Sequence, residues 1–296
     1  MEKRKIFVIG HKNPDTDSVC SAIAYAQLKN EIDTENEYIP LRAGQTNEET
    51  QYVLKQFGVN APQYVMDVKS QVKDIEIRKV DGVDRNISIK AAWKLMRDIG
   101  VVTLPITRDN KLEGLITIAD IATSYMDVHD STTLSTARTV CKNIVETLDG
   151  ALIIGDEEHV FDRGKVLVAA ANPDLMESYI RMGDIVILGN RYESQLCAIE
   201  MQAGCIVVCE GAPVSMTIKK LAVENHCTII STPHDTFTAS RLINQSVPIS
   251  FFMRTEGLIT FSTEAYTDEV RQVMAKKRHR DFPCLLYTSP SPRDRT

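Results

Sequence analysis

The stretch Ile6-Phe7-Val8-Ile9-Gly10-His11-Lys12-Asn13-Pro14-Asp15-Thr16-Asp17-Ser18 decides the reading of this chain. Four apolar residues ending at Gly10 predict a short strand buried on both faces of a parallel sheet. From Ser18, a plausible N-cap, the spacing of Val19, Ala22, Ile23 and Ala26 predicts a helix. Between strand and helix lies a tight turn with an imidazole and two carboxylates. In an open α/β sheet, ligands bind at the carboxyl ends of strands, where this turn falls. His11, Asp15 and Asp17 can converge there on hard divalent cations, with the two carboxylates facing different ions. Such donors suit manganese, cobalt or magnesium. Spacing alone leaves a second reading open: Asp17 or Ser18 caps the helix, Pro14 shapes the loop and His11 lies at the surface.

Outward from this turn, Glu37 to Arg42 reads as a second strand. Thr46-Asn47-Glu48-Glu49 reads as a capping box, opening a helix that carries Tyr52, Val53 and Phe57 and stops at Gly58. This β-α-β-α order predicts the start of a doubly wound α/β domain.

Further on, a helical pattern with Ala92, Leu95 and Met96 inward precedes Leu104-Pro105-Ile106. Val270, Val273 and Met274 precede Phe282-Pro283-Cys284 in the same way. Met96 and Met274 (274 − 96 = 178) share their offset with Pro105 and Pro283 (283 − 105 = 178). The match predicts two copies of one small α/β module. Between them, the apolar runs 151–154, 166–168, 185–188, 205–208 and 228–230 set the rhythm of another α/β domain. Helices are expected over 174–182 and 192–202.

The 296 residues are 43% hydrophobic and 25% charged, with a formal net charge of −6 and no basic face, which argues against nucleic acid as a partner. The seven cysteines are scattered, without C-x-x-C spacing, as in Cys205-Ile-Val-Val-Cys209. Buried reduced thiols are expected, in a reducing compartment. Gly10, His11 and Lys12 break the first apolar run too early for a signal peptide. No apolar run approaches the roughly 18 residues of a membrane span. A cytoplasmic protein is expected.

Strand-Gly-His-x-x-Pro-Asp-x-Asp-Ser-helix resembles the first motif of the manganese-dependent (family II) inorganic pyrophosphatases of the DHH (Asp-His-His) class. The resemblance implies that His11 and Asp15 bind one ion of a two-metal cluster and Asp17 the other. It implies hydrolysis of pyrophosphate to two phosphates with Mn2+ or Co2+, with Mg2+ possible on the substrate, and a homodimer. A subgroup of that family carries two CBS (cystathionine β-synthase) modules flanking a DRTGG domain, and this chain has that order. The implied boundaries are 1–63 for the first part of the catalytic domain, 64–127 and 248–284 for the CBS modules, and 128–247 for the DRTGG-like domain. The literal DRTGG string is absent; Asp162-Arg163-Gly164-Lys165 reads as a turn before a strand.

By the same resemblance, Thr117 and Asp120 at the end of Gly114-Leu-Ile-Thr-Ile-Ala-Asp120 would bind the ribose of an adenine nucleotide: AMP, ADP, ATP or a diadenosine polyphosphate. An ordinary helix start competes with that reading. Arg278 and Arg280, in Lys276-Lys-Arg-His-Arg-Asp281, would clamp phosphate, although a basic run at a helix end also suits the helix dipole. His226, His129 and His234 have no partners at metal spacing and read as surface or turn residues.

The resemblance also implies later metal ligands, including the Asp-His-His motif, none of which lies within residues 1–296. The chain is therefore expected to be an inactive N-terminal fragment, and LLYTSPSPRDRT (285–296) a non-native tail. Two alternatives stand beside this reading. One is a DHH phosphoesterase acting on another phosphoanhydride or a short oligonucleotide; the other is a non-catalytic nucleotide sensor.

Overall fold

The computed structural model describes residues 3–109, 111–126, 130–277 and 282. The expected tail, 285–296, lies outside them. The chain forms two compact units. One is built from residues 3–77 and 261–277, the other from Arg78–Thr260 and Phe282, of the described residues. Among the described residues, no helix is long and apolar enough to cross a membrane.

In the first unit, strands Arg4–Ile9, Asn36–Arg42 and Gln63–Tyr64 pair in parallel, in that order. Parallel neighbours need a crossover. Helix Thr16–Ile32 makes the first, burying Val19, Ala22 and Ala26 at helical spacing, and helix Glu48–Gln56 makes the second, burying Thr50 and Leu54. Three expectations need correction. The first strand is not buried on both faces, because Phe7 is 61% exposed. The first helix starts earlier than expected: Asp15, not Ser18, is its N-cap, with extended backbone and a carboxylate that accepts from the Ser18 amide at 3.1 Å. Asn47, not Thr46, caps the second helix, accepting from the Thr50 amide at 2.7 Å.

The second unit contains a helix, Ile89–Ile99, followed by an antiparallel pair, Thr103–Arg108 with Lys111–Thr117, and a second helix, Ile118–Met126. Ser88 caps the first of these helices at Ala91, and Gly100 ends it in the left-handed conformation, φ 66°. The same unit holds a five-stranded sheet. Its order is Ala151–Ile154, Thr228–Ser231, Cys205–Val208, Ile185–Leu188 and Val166–Val168, all parallel except Ala151–Ile154.

Both faces of that sheet are covered, which is why its strands read as unbroken apolar runs. Ile185, Ile187, Cys205, Val207 and Ile230 share one core with Ala92, Met96, Leu104, Ile106 and Ile116 of the helix-and-hairpin module. Val186, Leu188, Ile206, Val208 and Ile229 pack on the other side with Met176, Cys197, Ala198, Ile218 and Ala222. Each fully buried Val, Leu, Ile or Met side chain among these contributes about 1.5–3 kcal/mol relative to exposure.

The helices of the two expected copies, Ile89–Ile99 and Thr267–Lys277, receive their lead-in turns in matching ways, while Pro283 and Cys284 of the second copy lie outside the described residues. The turn Ile249–Phe251, which leads into the second copy, seats on the start of the first copy's helix: Ile249 N donates to Ile87 O (2.9 Å) and Ile89 N to Val247 O (3.0 Å). The turn Val72–Asp74, ahead of the first copy, treats the second copy's helix, Thr267–Lys277, alike. Val72 N donates to Ala265 O (2.9 Å) and Thr267 N to Ser70 O (2.9 Å). Val72 answers to Ile249 (249 − 72 = 177), and Ile87 to Ala265 (265 − 87 = 178).

Candidate metal turn and nucleotide site

The loop between strand Arg4–Ile9 and helix Thr16–Ile32 brings its three polar side chains together. One ligand atom from each of His11, Asp15 and Asp17 lies within 4.8 Å of the others, and all three residues are exposed. Two oxygens across a small divalent cation with bonds of about 2.1 Å stand about 4.2 Å apart, so the cluster is near the size of a coordination shell. His11 Nε2 is 3.2 Å from Asp15 Oδ1. The Ser18 amide donates to both Asp15 and Asp17, at 3.1 and 3.0 Å. Asp15 is held below its ordinary carboxyl pKa, first by its contact with the Asp17 carboxyl, then by the Ser18 amide and by His11. It is therefore anionic at neutral pH, as a ligand must be. Capping and ligation do not exclude one another: the cap fixes the carboxylate that the cluster uses.

Three features that support this turn escaped the sequence reading. A Cβ at Gly10 would fall 2.0 Å from Ser18 Oγ, so the strand end and the helix start require glycine for their close approach. That Ser18 hydroxyl is buried and has no protein partner. A Cβ at Gly44 would fall 2.5 Å from Pro14 Cδ and 2.8 Å from Lys12 O, so the loop after the second strand presses on the turn from its other side. Thr16 and the fully buried Thr50 join hydroxyls at 3.1 Å, tying the first helix to the second. A glycine two residues past a strand end was the one available signal.

Thr117 ends its strand, and Asp120 lies in the first turn of the helix that follows. Asp120 Oδ2 accepts from Thr117 N (2.9 Å) and Thr117 Oγ1 (2.7 Å), while Asp120 N donates to Thr117 Oγ1 (3.2 Å). Asp120 Oδ1 accepts from Arg254 Nε (2.9 Å) and Arg254 Nη2 (2.7 Å). Burial works to raise the Asp120 pKa, but the hydrogen bonds from Thr117 and Arg254 outweigh it and hold it below the ordinary value. Arg254 was not foreseen; it stands 134 residues away. Arg278 and Arg280 lie outside the described residues. His234 is less isolated than expected, because its Nε2 meets Asp149 Oδ2 at 3.0 Å, beside Lys90 on the same carboxylate.

Residues 5–154, just over half of the chain, match the DHH family, N-terminal domain, and residues 143–246 match the DRTGG domain. The chain belongs to the DHH family. It is 40% identical over 285 residues to the cobalt-dependent inorganic pyrophosphatase of Clostridium perfringens, covering 96% of this chain and 52% of that protein. It is 30% identical over 276 residues to a probable manganese-dependent inorganic pyrophosphatase of Thermotoga maritima, covering 93% and 50%. The manganese-dependent inorganic pyrophosphatase of Bacillus subtilis is 46% identical over 86 residues, 29% of this chain and 26% of that one. The chain thus spans about half the length of the first two relatives. A crystal structure of the CBS and DRTGG domains of the regulatory region of C. perfringens pyrophosphatase, complexed with its activator diadenosine tetraphosphate, superposes with a TM-score of 0.69. It is 37% identical and covers 73% of this chain and 94% of that structure. The resemblance drawn from the Gly10–Ser18 motif is borne out, as is the DRTGG label that rested on position and rhythm.

Proposed function

We propose that this chain serves the hydrolysis of inorganic pyrophosphate to two phosphates, with manganese or cobalt as cofactor and Mg2+ possible on the substrate. The observation that carries the proposal is the convergence of His11, Asp15 and Asp17 within 4.8 Å at the carboxyl end of a parallel strand. The names of the relatives point the same way. His11 and Asp15 would hold one ion and Asp17 the second, and a divalent pair there would acidify bound water and hold both oxygens of a phosphoryl displacement. The protein's own part is positional. The Asp15 cap, the Gly10–Ser18 approach and the Gly44–Pro14 contact keep the donors in place before any ligand arrives.

The catalytic portion, 1–63, would be the start of a doubly wound domain, followed by CBS (64–127), DRTGG-like (128–247) and CBS (248–284) modules. Thr117 and Asp120, with Arg278 and Arg280, would bind adenine nucleotides that regulate turnover. The neighbouring structure's activator supports a nucleotide at these modules. A homodimer in the cytoplasm fits the reading, and buried unpaired thiols suit a reducing compartment. Any regulation would come as a coupling free energy, typically about 1–3 kcal/mol.

Titration of the full chain with Mn2+, followed by the loss of the free-ion electron paramagnetic resonance signal, tests the metal reading. Asp15→Asn and Asp17→Asn should each weaken binding at least about tenfold, and Asp15→Asn should also abolish pyrophosphate turnover by the full-length enzyme. Wild-type Mn2+ affinity in both variants would defeat the assignment.

A further inference from the structure

The Asp120 carboxylate is full. A carboxylate offers about four acceptor positions. Thr117 takes two on Oδ2, and Arg254 takes two on Oδ1. The two halves differ in how they can be released. The Thr117 half is local and reciprocal, three residues apart, with the Asp120 amide returning a bond to the Thr117 hydroxyl. The Arg254 half comes from a distant segment whose main chain is anchored and whose side chain is half exposed. Arg254 N donates to Leu115 O at 2.8 Å and Leu115 N to Arg254 O at 3.0 Å. The approach is close enough that a Cβ at Gly114 would lie 2.9 Å from Arg254 O. Beyond that anchor the Arg254 side chain is 50% exposed, against 13% for Asp120. Its two nitrogens also converge on one oxygen rather than forking across both, which forgoes the stronger bidentate geometry.

The exposed partner that a ligand diol would displace from Asp120 is therefore Arg254, on Oδ1. On the reading that Thr117 and Asp120 bind ribose, we propose that Arg254 is the specificity-determining residue of this site. It occupies the diol's place in the empty protein and turns to the ligand's phosphate when the site fills, so that nucleotides are selected over nucleosides. A nucleoside takes away the guanidinium's partner and offers none in return. A nucleotide replaces the carboxylate with phosphate oxygens, to which arginine's planar fork is well matched.

The experiment is calorimetric titration of adenosine and of AMP into the full chain, as wild type, Arg254→Met, Arg254→Lys and Asp120→Asn. Methionine keeps the aliphatic stem and the main-chain bonds to Leu115. Fluorescence of Trp93, the single tryptophan and a member of the same unit, confirms folding of each variant. Wild type should bind AMP more tightly than adenosine. In Arg254→Met, adenosine should bind more tightly and AMP more weakly, so that the AMP preference falls by about tenfold or more, the scale of one charge-assisted hydrogen bond. Arg254→Lys should restore part of that preference, as a point charge. Equal changes for both ligands in Arg254→Met, or none, would overturn the role of Arg254 while leaving the nucleotide site intact. AMP binding that survives in Asp120→Asn, or is absent from wild type, would remove the site reading and this inference with it.

Discussion

Replacing Gly10 with alanine tests whether steric closeness at the strand-to-helix turn holds His11, Asp15 and Asp17 together. The new Cβ would meet Ser18 Oγ at 2.0 Å, and Ser18 Cβ and Ser18 O at 3.2 Å each. The first separation is impossible and the other two are only tight. Overpacking of this kind costs about 1–3 kcal/mol. Gly10 is not among the residues of positive φ, so alanine meets no backbone strain and gains about 0.4–1 kcal/mol from a less free unfolded chain. The net loss expected for Gly10→Ala is therefore about 1–2 kcal/mol. Ser18→Ala should cost nothing, because its buried hydroxyl has no partner to lose. The double variant keeps only the two 3.2 Å contacts, so it should recover at least about 1 kcal/mol of the loss, a favourable coupling of the size seen between touching residues. The sole tryptophan belongs to the other unit and does not report on this one. The assay is instead the labelling rate of Cys20, in the first helix, as a function of urea. If Gly10→Ala and the double variant are equally destabilised, the clash with the Ser18 hydroxyl is not what glycine avoids.

Removing the Thr16–Thr50 contact with Thr50→Val should cost about 1 kcal/mol by the same Cys20 assay, and Thr50→Ser should restore most of it; equal stability of all three proteins would dismiss the contact. Burial pushes the thiols of Cys141 and Cys227 up to about 12, and that of Cys209 to about 11. Native protein at pH 8 should leave these three unalkylated by iodoacetamide, and stability should fall as pH rises from about 8.5, where the unfolded thiols ionise, towards those folded values. Rapid alkylation of all three in folded protein would contradict the packing. The Asp149 carboxyl is held below its ordinary value, first by His234 and then by Lys90. Its contribution to stability is full above the unfolded value of about 3.9 and is lost as pH falls through the lower folded one. Melting followed by Trp93 should show wild type more stable than Asp149→Asn at pH 7, with the gap closing in acid; a gap that stays constant down to pH 2 would count against the contact.

How far the sequence could be read depended on the range of each signal. The strands Ile185–Leu188 and Cys205–Val208 were plain because both of their faces are buried and every residue is apolar. The clustering of His11, Asp15 and Asp17 was legible because the three fall within seven consecutive residues. Helix caps were misplaced because Asp15 and Ser18, or Thr46 and Asn47, are alike in chemistry, and only the backbone angles decide which one caps. Phe7 misled for another reason: an apolar run declares that a residue can be buried, not that something covers it. Arg254 was out of reach, since nothing in the sequence near Asp120 announces a partner 134 positions later.

The reciprocal closure of the two repeats bears on how such a protein can change by descent. Each copy's helix is completed by the lead-in of the other, through matching bonds at Ile87 and Ala265. Deleting either copy would strip the survivor of the turn that finishes it. Duplicating one would leave a helix start with no lead-in to receive. Recombination breakpoints between the lead-ins should therefore be selected against, while breakpoints outside both should be tolerated. The stretch from Val72 to the end of the second copy should pass between lineages as one indivisible cassette, gained whole or lost whole.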